Sequence, residues 1–253
     1  GRVRLVEMTT AEAADAASRG SVVLLPVGAV EQHGPALPLG TDTLRAEAIA
    51  ELVADALGDD VVLGPTLPVG VSPHHLAFAG TMTLRPETFA TVLREWIDSL
   101  AGHGWRRFLV VTGHGGNNAA LGTLAQQLLA DAPHLELAWA PVTALAPDAV
   151  AALDPSEVHG HSGEAETAQM LHLAPHLVRR DLLAPGTTRL DELDDLGRLS
   201  RRPGHPTLAV RYDRLSATGV LGDPRRVSAA DGQKIVDLVR DRLVDFVEEW
   251  LRP

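Results

Sequence analysis

Short apolar runs alternate with longer amphipathic segments along this chain. The apolar runs at 22–27, 61–63, 107–112 and 135–142 predict four buried strands. Apolar residues at helical spacing predict helices over 9–20, 44–57, 86–100, 118–130, 164–173 and 228–251. Strands that alternate with helices favour an α/β fold, in which a mostly parallel sheet carries helices on both faces.

The remaining sequence features indicate how many domains the chain forms. Residues 181–207 are charged and contain proline and glycine, which predicts a long loop region. Neither an internal repeat nor a shift in composition marks a second domain. We therefore expect a single domain over residues 1–253.

Composition and charge exclude several classes of protein. The formal net charge is −11 and the arginine pairs are scattered, so we expect no nucleic-acid partner. The chain has no cysteine, which rules out disulfides, thiolate metal sites and a cysteine nucleophile. No apolar run approaches a membrane span and the N-terminus shows no signal-peptide core, so we expect a cytoplasmic protein without a membrane partner.

Candidate metal ligands follow three of the predicted strands. The ends of parallel strands meet at one edge of a sheet, and this edge is where open α/β sheets bind ligands. These polar side chains should therefore converge. They are Glu31, His33, Asp42, His114, His159, His161 and Glu164.

The chemistry of this set favours a metal centre. Five or more nitrogen and oxygen ligands without sulfur suit an open catalytic site, which we expect to be binuclear. Glu31, Asp42 and Glu164 supply three negative charges against the four positive charges of two divalent ions. The surplus positive charge would lower the pKa of a bridging water, so that hydroxide becomes available near neutral pH.

Each residue also has a simpler interpretation. Glu31 could lie on the surface and His33 in a turn, Asp42 could cap the helix that follows it, and Glu164 could balance a helix dipole. His114 could be a turn residue, or its glycine-rich loop could cradle a phosphate in a non-catalytic nucleotide-binding module. That module would require a nearby lysine or arginine, and the loop has none. A metal-free scaffold is a further alternative, although it predicts a broken ligand set.

Five segments together resemble the motifs of the creatininase (creatinine amidohydrolase) family. The first reads Pro-Val-Gly-Ala-Val-Glu-Gln-His-Gly-Pro and ends in Leu-Pro-Leu-Gly-Thr-Asp, and the third reads Thr-Gly-His-Gly-Gly-Asn. The similarity extends in the family's order over about residues 20–240. The five segments are 26–42, 72–81, 112–117, 161–167 and 218–224.

The resemblance implies a three-layer α/β/α sandwich, a homo-oligomer that is often a hexamer, and two divalent ions per chain. Zinc would be the main metal, with manganese or iron as alternatives. Glu31 and His114 would hold one ion, His33 and Glu164 the other, and Asp42 would bridge them. The family hydrolyses cyclic or linear amide C–N bonds, so a small-molecule amide or a short peptide is the expected substrate.

We predict that a hydroxide bridging the two ions attacks an amide carbonyl, which one ion polarises. His161 is our candidate for the general acid and base, and Glu164 would act beside it as a ligand. His75 or His74, on the segment 72–81, is a weaker candidate for orienting the substrate. Backbone N–H groups of Gly115 and Gly116 would hold a substrate oxygen, and Trp139 would shape the substrate pocket.

The substrate itself is less clear from the motifs. The creatinine-cleaving pattern has an acidic residue at the position of Gly116, and this chain departs from it. Two other branches fit the Gly-His-Gly-Gly-Asn loop: the peptidase that trims the C-terminus of the mycofactocin precursor, and a hydrolase that opens a formamidopyrimidine. The segment Ser72-Pro73-His74-His75 counts modestly against the mycofactocin branch.

Overall fold

A four-stranded parallel sheet organises the chain. The computed structural model describes residues 3–253. Its strands are β1 (Val22–Val27), β2 (Val61–Leu63), β3 (Arg107–Thr112) and β4 (Glu136–Pro141), and all pairs are parallel in the order β2-β1-β3-β4. The predicted α/β class and all four predicted strands are confirmed.

Helices cover both faces of this sheet. They are α1 (Thr10–Ser18), α2 (Thr41–Leu57), α3 (Pro86–Ala101), α4 (Asn118–Asp131), α5 (Pro147–Ala151), α6 (Glu164–Leu173), α7 (Asp195–Ser200) and α8 (Ala229–Trp250). The six predicted helices are present. The short helices α5 and α7 were not predicted, because five or six residues carry too little periodicity, and α7 interrupts the expected loop at 181–207.

Strand β1 shows why the apolar runs are continuous. Val23, Leu25 and Val27 pack on one side with α3 and α4, whereas Val22 and Leu24 pack on the other with α2 and α8. All six residues of the strand are buried. A strand that is covered on both faces needs apolar side chains at every position, in contrast to the alternating pattern of a half-exposed strand.

Close backbone packing aligns the strand ends with the helices that begin there. A Cβ atom on Gly113, directly after β3, would lie 2.0 Å from the carbonyl oxygen of Asp42 in α2. A Cβ atom on Gly232 in α8 would lie 1.8 Å from the carbonyl oxygen of Ala168 in α6. Glycine at these two positions therefore lets α2 lie directly against the end of β3, and α6 directly against α8.

Among residues 3–253, none of the helices combines the length and the apolar character that crossing a bilayer requires.

Candidate metal centre

Four of the predicted ligands meet at the C-terminal edge of the sheet. Glu31 and His33 lie in the segment after β1, Asp42 in the first turn of α2, and His114 directly after β3. All four are buried. One carboxylate oxygen of Asp42 lies 3.1 Å from His33 Nε2, and the other lies 3.2 Å from His114 Nδ1. Asp42 thus occupies the middle of the set.

The structure places Glu166, and not the predicted Glu164, beside this set. Glu166 Oε1 lies 3.5 Å from His33 Nε2, and Glu166 forms with His33 and His161 one of the groups of side chains that could hold a metal ion. Glu164 belongs to none of these groups within residues 3–253. Its Oε2 instead accepts hydrogen bonds from the backbone N–H and the hydroxyl of Ser156, at 2.8 and 2.6 Å.

Helix geometry explains why Glu166 faces the imidazoles and Glu164 does not. Residues two apart on a helix point in nearly opposite directions, so only one of the pair can face the imidazoles. The motif contains both glutamates at the start of α6, and the sequence offers no signal that selects between them. The packing of α6 on α8 sets its rotation, and this rotation turns Glu166 inward. We call Glu31, His33, Asp42, His114 and Glu166 the ligand cluster.

Backbone carbonyls fix the orientation of three imidazoles. A carbonyl oxygen only accepts, so His33 donates from Nδ1 to Glu31 O at 3.0 Å, and His114 donates from Nε2 to Val71 O at 2.8 Å. His161 donates from Nε2 to Gln32 O at 2.8 Å. The other ring nitrogen of each histidine faces the carboxylates, which is how proteins orient imidazole ligands of metals.

The carboxylates change the acidity of two of these imidazoles. Burial lowers the pKa of His33, but Asp42 and Glu166 outweigh burial and hold it well above its ordinary value. Burial also opposes the charge on His114, yet its hydrogen bond to Asp42 and the charge of Glu31 raise its pKa to about 9. Without a metal ion, these imidazoles therefore carry protons that compensate the carboxylate charges.

The carboxyl groups respond differently from one another. Burial, together with the charge of Asp42, raises the pKa of Glu31 to about 8. Burial acts in the same direction on Asp42, but His33 and other partners hold its pKa well below the ordinary value. For Glu166, Arg45 and His33 overcome burial and lower the pKa to about 2.

Arg45 is a site residue that the sequence analysis missed. Its side chain is 1% exposed, and its Nη2 donates to Asp42 Oδ1 at 2.8 Å and to Glu166 Oε2 at 2.7 Å. The same nitrogen donates to Gly113 O at 2.8 Å. An arginine three residues after Asp42 on the same helix was the available signal. Because it binds carboxylates and a carbonyl, it is not a free cation for a phosphate.

Aromatic rings lie against the cluster beside Glu31 and Glu166. The ring of His75 lies 4.3 Å from the rings of both His161 and Tyr212, and His74 lies 5.1 Å from Tyr212. Burial, with a contribution from His33, lowers the pKa of His161 to about 4. Burial also lowers the pKa of His75. These imidazoles are therefore neutral near pH 7, unlike His33 and His114. Tyr212, the only tyrosine of the chain, was not predicted.

Of three further predicted residues, Gly115 and Gly116 lie near the cluster and Trp139 does not. Gly115 lines a cavity beside His114, and a Cβ atom on Gly116 would lie 2.3 Å from His114 Nε2. The backbone here leaves no room for the acidic residue of the creatinine-cleaving pattern. Trp139 instead lies in mid-strand, paired with Val110, and contributes to a groove with Phe246 of α8. The predicted pocket role of Trp139 is not supported by this position.

The cluster fits a divalent metal ion. Glu31 Oε1 and His33 Nε2 are buried and form no hydrogen bond of good geometry within the described residues, although each has an ion-pair contact, to His114 at 3.3 Å and to Asp42 at 3.1 Å. Buried polar atoms with such incomplete bonding are stabilised when another group binds them. Carboxylate oxygens and imidazole nitrogens are ligands that zinc and manganese accept. The alternative reading of Asp42 as a helix cap is wrong, because Gly40 holds that position and Asp42 faces the imidazoles.

An α/β fold with such a cluster at its strand ends defines a class of protein that could hold divalent metal ions. The creatininase family profile, described as creatinine amidohydrolase, matches residues 6–247. A mycofactocin precursor peptide peptidase of Mycobacterium tuberculosis is 34% identical over 253 residues, which cover 97% of this chain and 92% of that protein. The creatinine amidohydrolase of Pseudomonas putida is 27% identical over 92% and 90% of the two chains.

Solved structures agree with these sequence similarities. A mutant creatininase of Zn–Zn type superposes with a TM-score of 0.81 and 25% identity, and the match covers 100% of both chains. The chain therefore belongs to the creatininase family. It is a hydrolase that acts on C–N bonds, and the expected sandwich of helices around a parallel sheet is confirmed.

Proposed function

We propose that this protein is a metal-dependent peptidase that hydrolyses a C–N bond of a short peptide. The observation that carries the proposal is the buried ligand cluster, in which polar atoms of Glu31 and His33 form no hydrogen bond of good geometry within residues 3–253. The similarity to mycofactocin precursor peptide peptidases, which exceeds that to creatinine amidohydrolase, favours a peptide. Gly116 argues in the same direction, since its surroundings exclude a larger side chain. The segment 72–75 therefore carries less weight than the sequence analysis gave it.

We assign the metal ligands as follows, for two divalent ions of which zinc is the expected native metal. Glu31 and His114 would hold one ion, His33 and Glu166 the other, and Asp42 would lie between them with one oxygen toward each histidine. Bound divalent ions would lower the pKa of water and polarise the substrate carbonyl. The oxygens of Asp42 and Glu166 that face Arg45 are held in position by its guanidinium group.

The proton transfers are assigned to His161. Its Nδ1 is not used by the Gln32 carbonyl and lies 3.9 Å from Glu166 Oε1 and 4.0 Å from Glu31 Oε1. A neutral imidazole with this nitrogen directed at the cluster can accept a proton from attacking water and return it to the leaving nitrogen. His75 and Tyr212 border His161 and would contact the substrate on that side. We retain the backbone N–H groups of Gly115 and Gly116 as donors to a substrate oxygen.

Metal content and substrate can be tested in one set of experiments. The protein is purified without chelator, its metals are quantified, and it is incubated with synthetic peptides and, separately, with creatinine. We expect divalent ions at one to two per chain and mass-spectrometric evidence of peptide cleavage. Creatinine turnover without peptide cleavage would contradict the peptidase assignment. A metal content well below one per chain, with stability unchanged by EDTA, would contradict the metal centre.

A further inference from the structure

A largely apolar cavity opens directly beside the ligand cluster. Its volume is about 580 Å³, which lies within the range of roughly 300–1,000 Å³ typical of ligand pockets. Arg45, His114 and Glu166 lie at one part of its lining, so a molecule bound at the cluster extends into it. The other walls come mainly from the segment after β4, which connects the sheet to α5 and the loop beyond.

Most of the residues that line the cavity from this segment are apolar. They are Val142, Ala144, Pro147, Val150, Ala151 and Pro155, and the polar residues of the segment in the lining are Thr143 and His159. Asp148 and Asp154 belong to the same segment but are not part of the lining. Burial of a ligand's apolar groups against such a surface is favourable, whereas the surface offers few hydrogen-bond partners to a polar group.

Glu164, which itself lines the cavity, binds the loop that carries Pro155 of the lining. Its carboxylate accepts two hydrogen bonds from Ser156, the residue after Pro155 of the cavity lining. Glu164 is 2% exposed and begins helix α6, which also carries Glu166 of the cluster. The wall and the cluster are therefore tied to the same helix, so the spacing between the reacting bond and the apolar surface is fixed.

We propose that this cavity binds a bulky apolar or aromatic side chain of the residue next to the scissile C–N bond. The inference rests on the proposed peptidase function and adds the substrate class. Burial of a phenylalanine-sized side chain contributes enough free energy for a preference of about 10- to 100-fold over glycine. A small cyclic amide would leave most of the apolar wall in contact with water.

Two neighbouring alanines at the C-terminal end of α5 provide a matched pair of variants. Ala151 lines the cavity and Ala152, the next residue, does not, although both are exposed. Ala151→Trp should fill the cavity, whereas Ala152→Trp adds the same bulk outside it. Ala144→Trp should fill the cavity from the 3-10 helix Thr143–Leu145. This second variant controls for a local effect of the Ala151 change on α5.

The measurement is calorimetric binding of phenylalanine hydroxamate and glycine hydroxamate to the metal-loaded protein. We expect the phenylalanine compound to bind about 10-fold tighter or more in the wild type and in Ala152→Trp. This preference should disappear in Ala151→Trp and in Ala144→Trp. Equal affinities in the wild type, or a preference that survives both cavity-filling changes, would overturn the proposal. The readout does not require turnover, so a protein that shows the preference but cleaves no peptide would contradict only the peptidase function.

Discussion

The two sides of the ligand cluster balance charge in opposite ways. On one side, Arg45 is buried against Asp42 and Glu166, and these carboxyl groups remain ionised. On the other side, the rings of His75 and His161 contact each other at 4.3 Å with tilted planes, and both are neutral because burial lowers their pKa. In our proposal, the arginine side holds two of the metal ligands in place without exchanging protons, whereas the ring side supplies the free imidazole nitrogen of His161 for proton transfer. Positioning and proton transfer are therefore assigned to different residues.

We expect the largest effect on metal content and activity from a comparison of the two glutamates of α6. Glu166→Gln should lower the divalent metal content of the purified protein and abolish measurable hydrolysis, because it replaces a charged ligand by a neutral amide. Glu164→Gln, two residues away, should leave the metal content unchanged. Metal analysis of both variants tests the assignment, and the opposite pattern would restore Glu164 as the ligand.

The ring side is tested by His161→Ala. Removal of a general acid and base typically costs about 10²–10⁴-fold in rate, so kcat should fall by that factor. The metal content should remain that of the wild type, because the cluster is intact. His176→Ala, outside the cluster, serves as the control. Loss of metal in the His161 variant would show that this residue is a ligand and not a proton carrier.

The arginine side is tested by Arg45→Met. Removing one partner of a buried ion pair leaves an uncompensated charge and destabilises a protein by about 3–5 kcal/mol. We expect a loss of this size in the free energy of unfolding of the metal-free protein in urea. Arg240→Met is the matched control, because Arg240 is partly exposed and pairs with Asp237 and Asp241 at the surface, where such pairs contribute about 0–1 kcal/mol. Equal losses in both variants would contradict the structural role of Arg45.

The smallest expected effect is the release of protons from the ligand cluster when a metal ion binds. The pKa of His114 is raised to about 9 and that of Glu31 to about 8, so both groups carry protons at pH 7 in the metal-free protein. A metal ion needs their lone pairs and displaces these protons, so its affinity should rise with pH up to about 9. Calorimetry with Mn²⁺ in two buffers of different ionisation enthalpy should detect the release at pH 7, and the affinity should be higher at pH 8 than at pH 7. A pH-independent affinity would contradict this protonation of the cluster.

Much of this architecture was predictable from the sequence. A strand that is buried on both faces needs an unbroken apolar run, and β1 and β3 have such runs. Polar residues after those strands had to meet, because parallel strands end at one edge. Glu31, His33, Asp42 and His114 were predicted on this basis and lie together. Their roles as metal ligands remain a prediction.

Other features required three-dimensional packing. Trp139 was predicted to shape the substrate pocket, but its position within β4 directs it toward Phe246. Tyr212 reaches the imidazoles through a segment that has no periodic pattern, so its position could not be inferred from spacing. Arg45 was overlooked because an arginine within an amphipathic helix is normally solvated, and only the fold reveals that two carboxylates surround it.

The sequence by itself determined the fold class, the edge of the sheet that carries the site, and the residue types suited to divalent metals. These properties follow from hydrophobic periodicity and from ligand chemistry, both of which are local. Tertiary structure turned Glu166 rather than Glu164 toward the imidazoles, buried Arg45 between two carboxylates and formed the apolar cavity after β4. The physical reason is that helix rotation, burial and cavity shape depend on contacts between segments far apart in the chain, which spacing along the sequence does not encode.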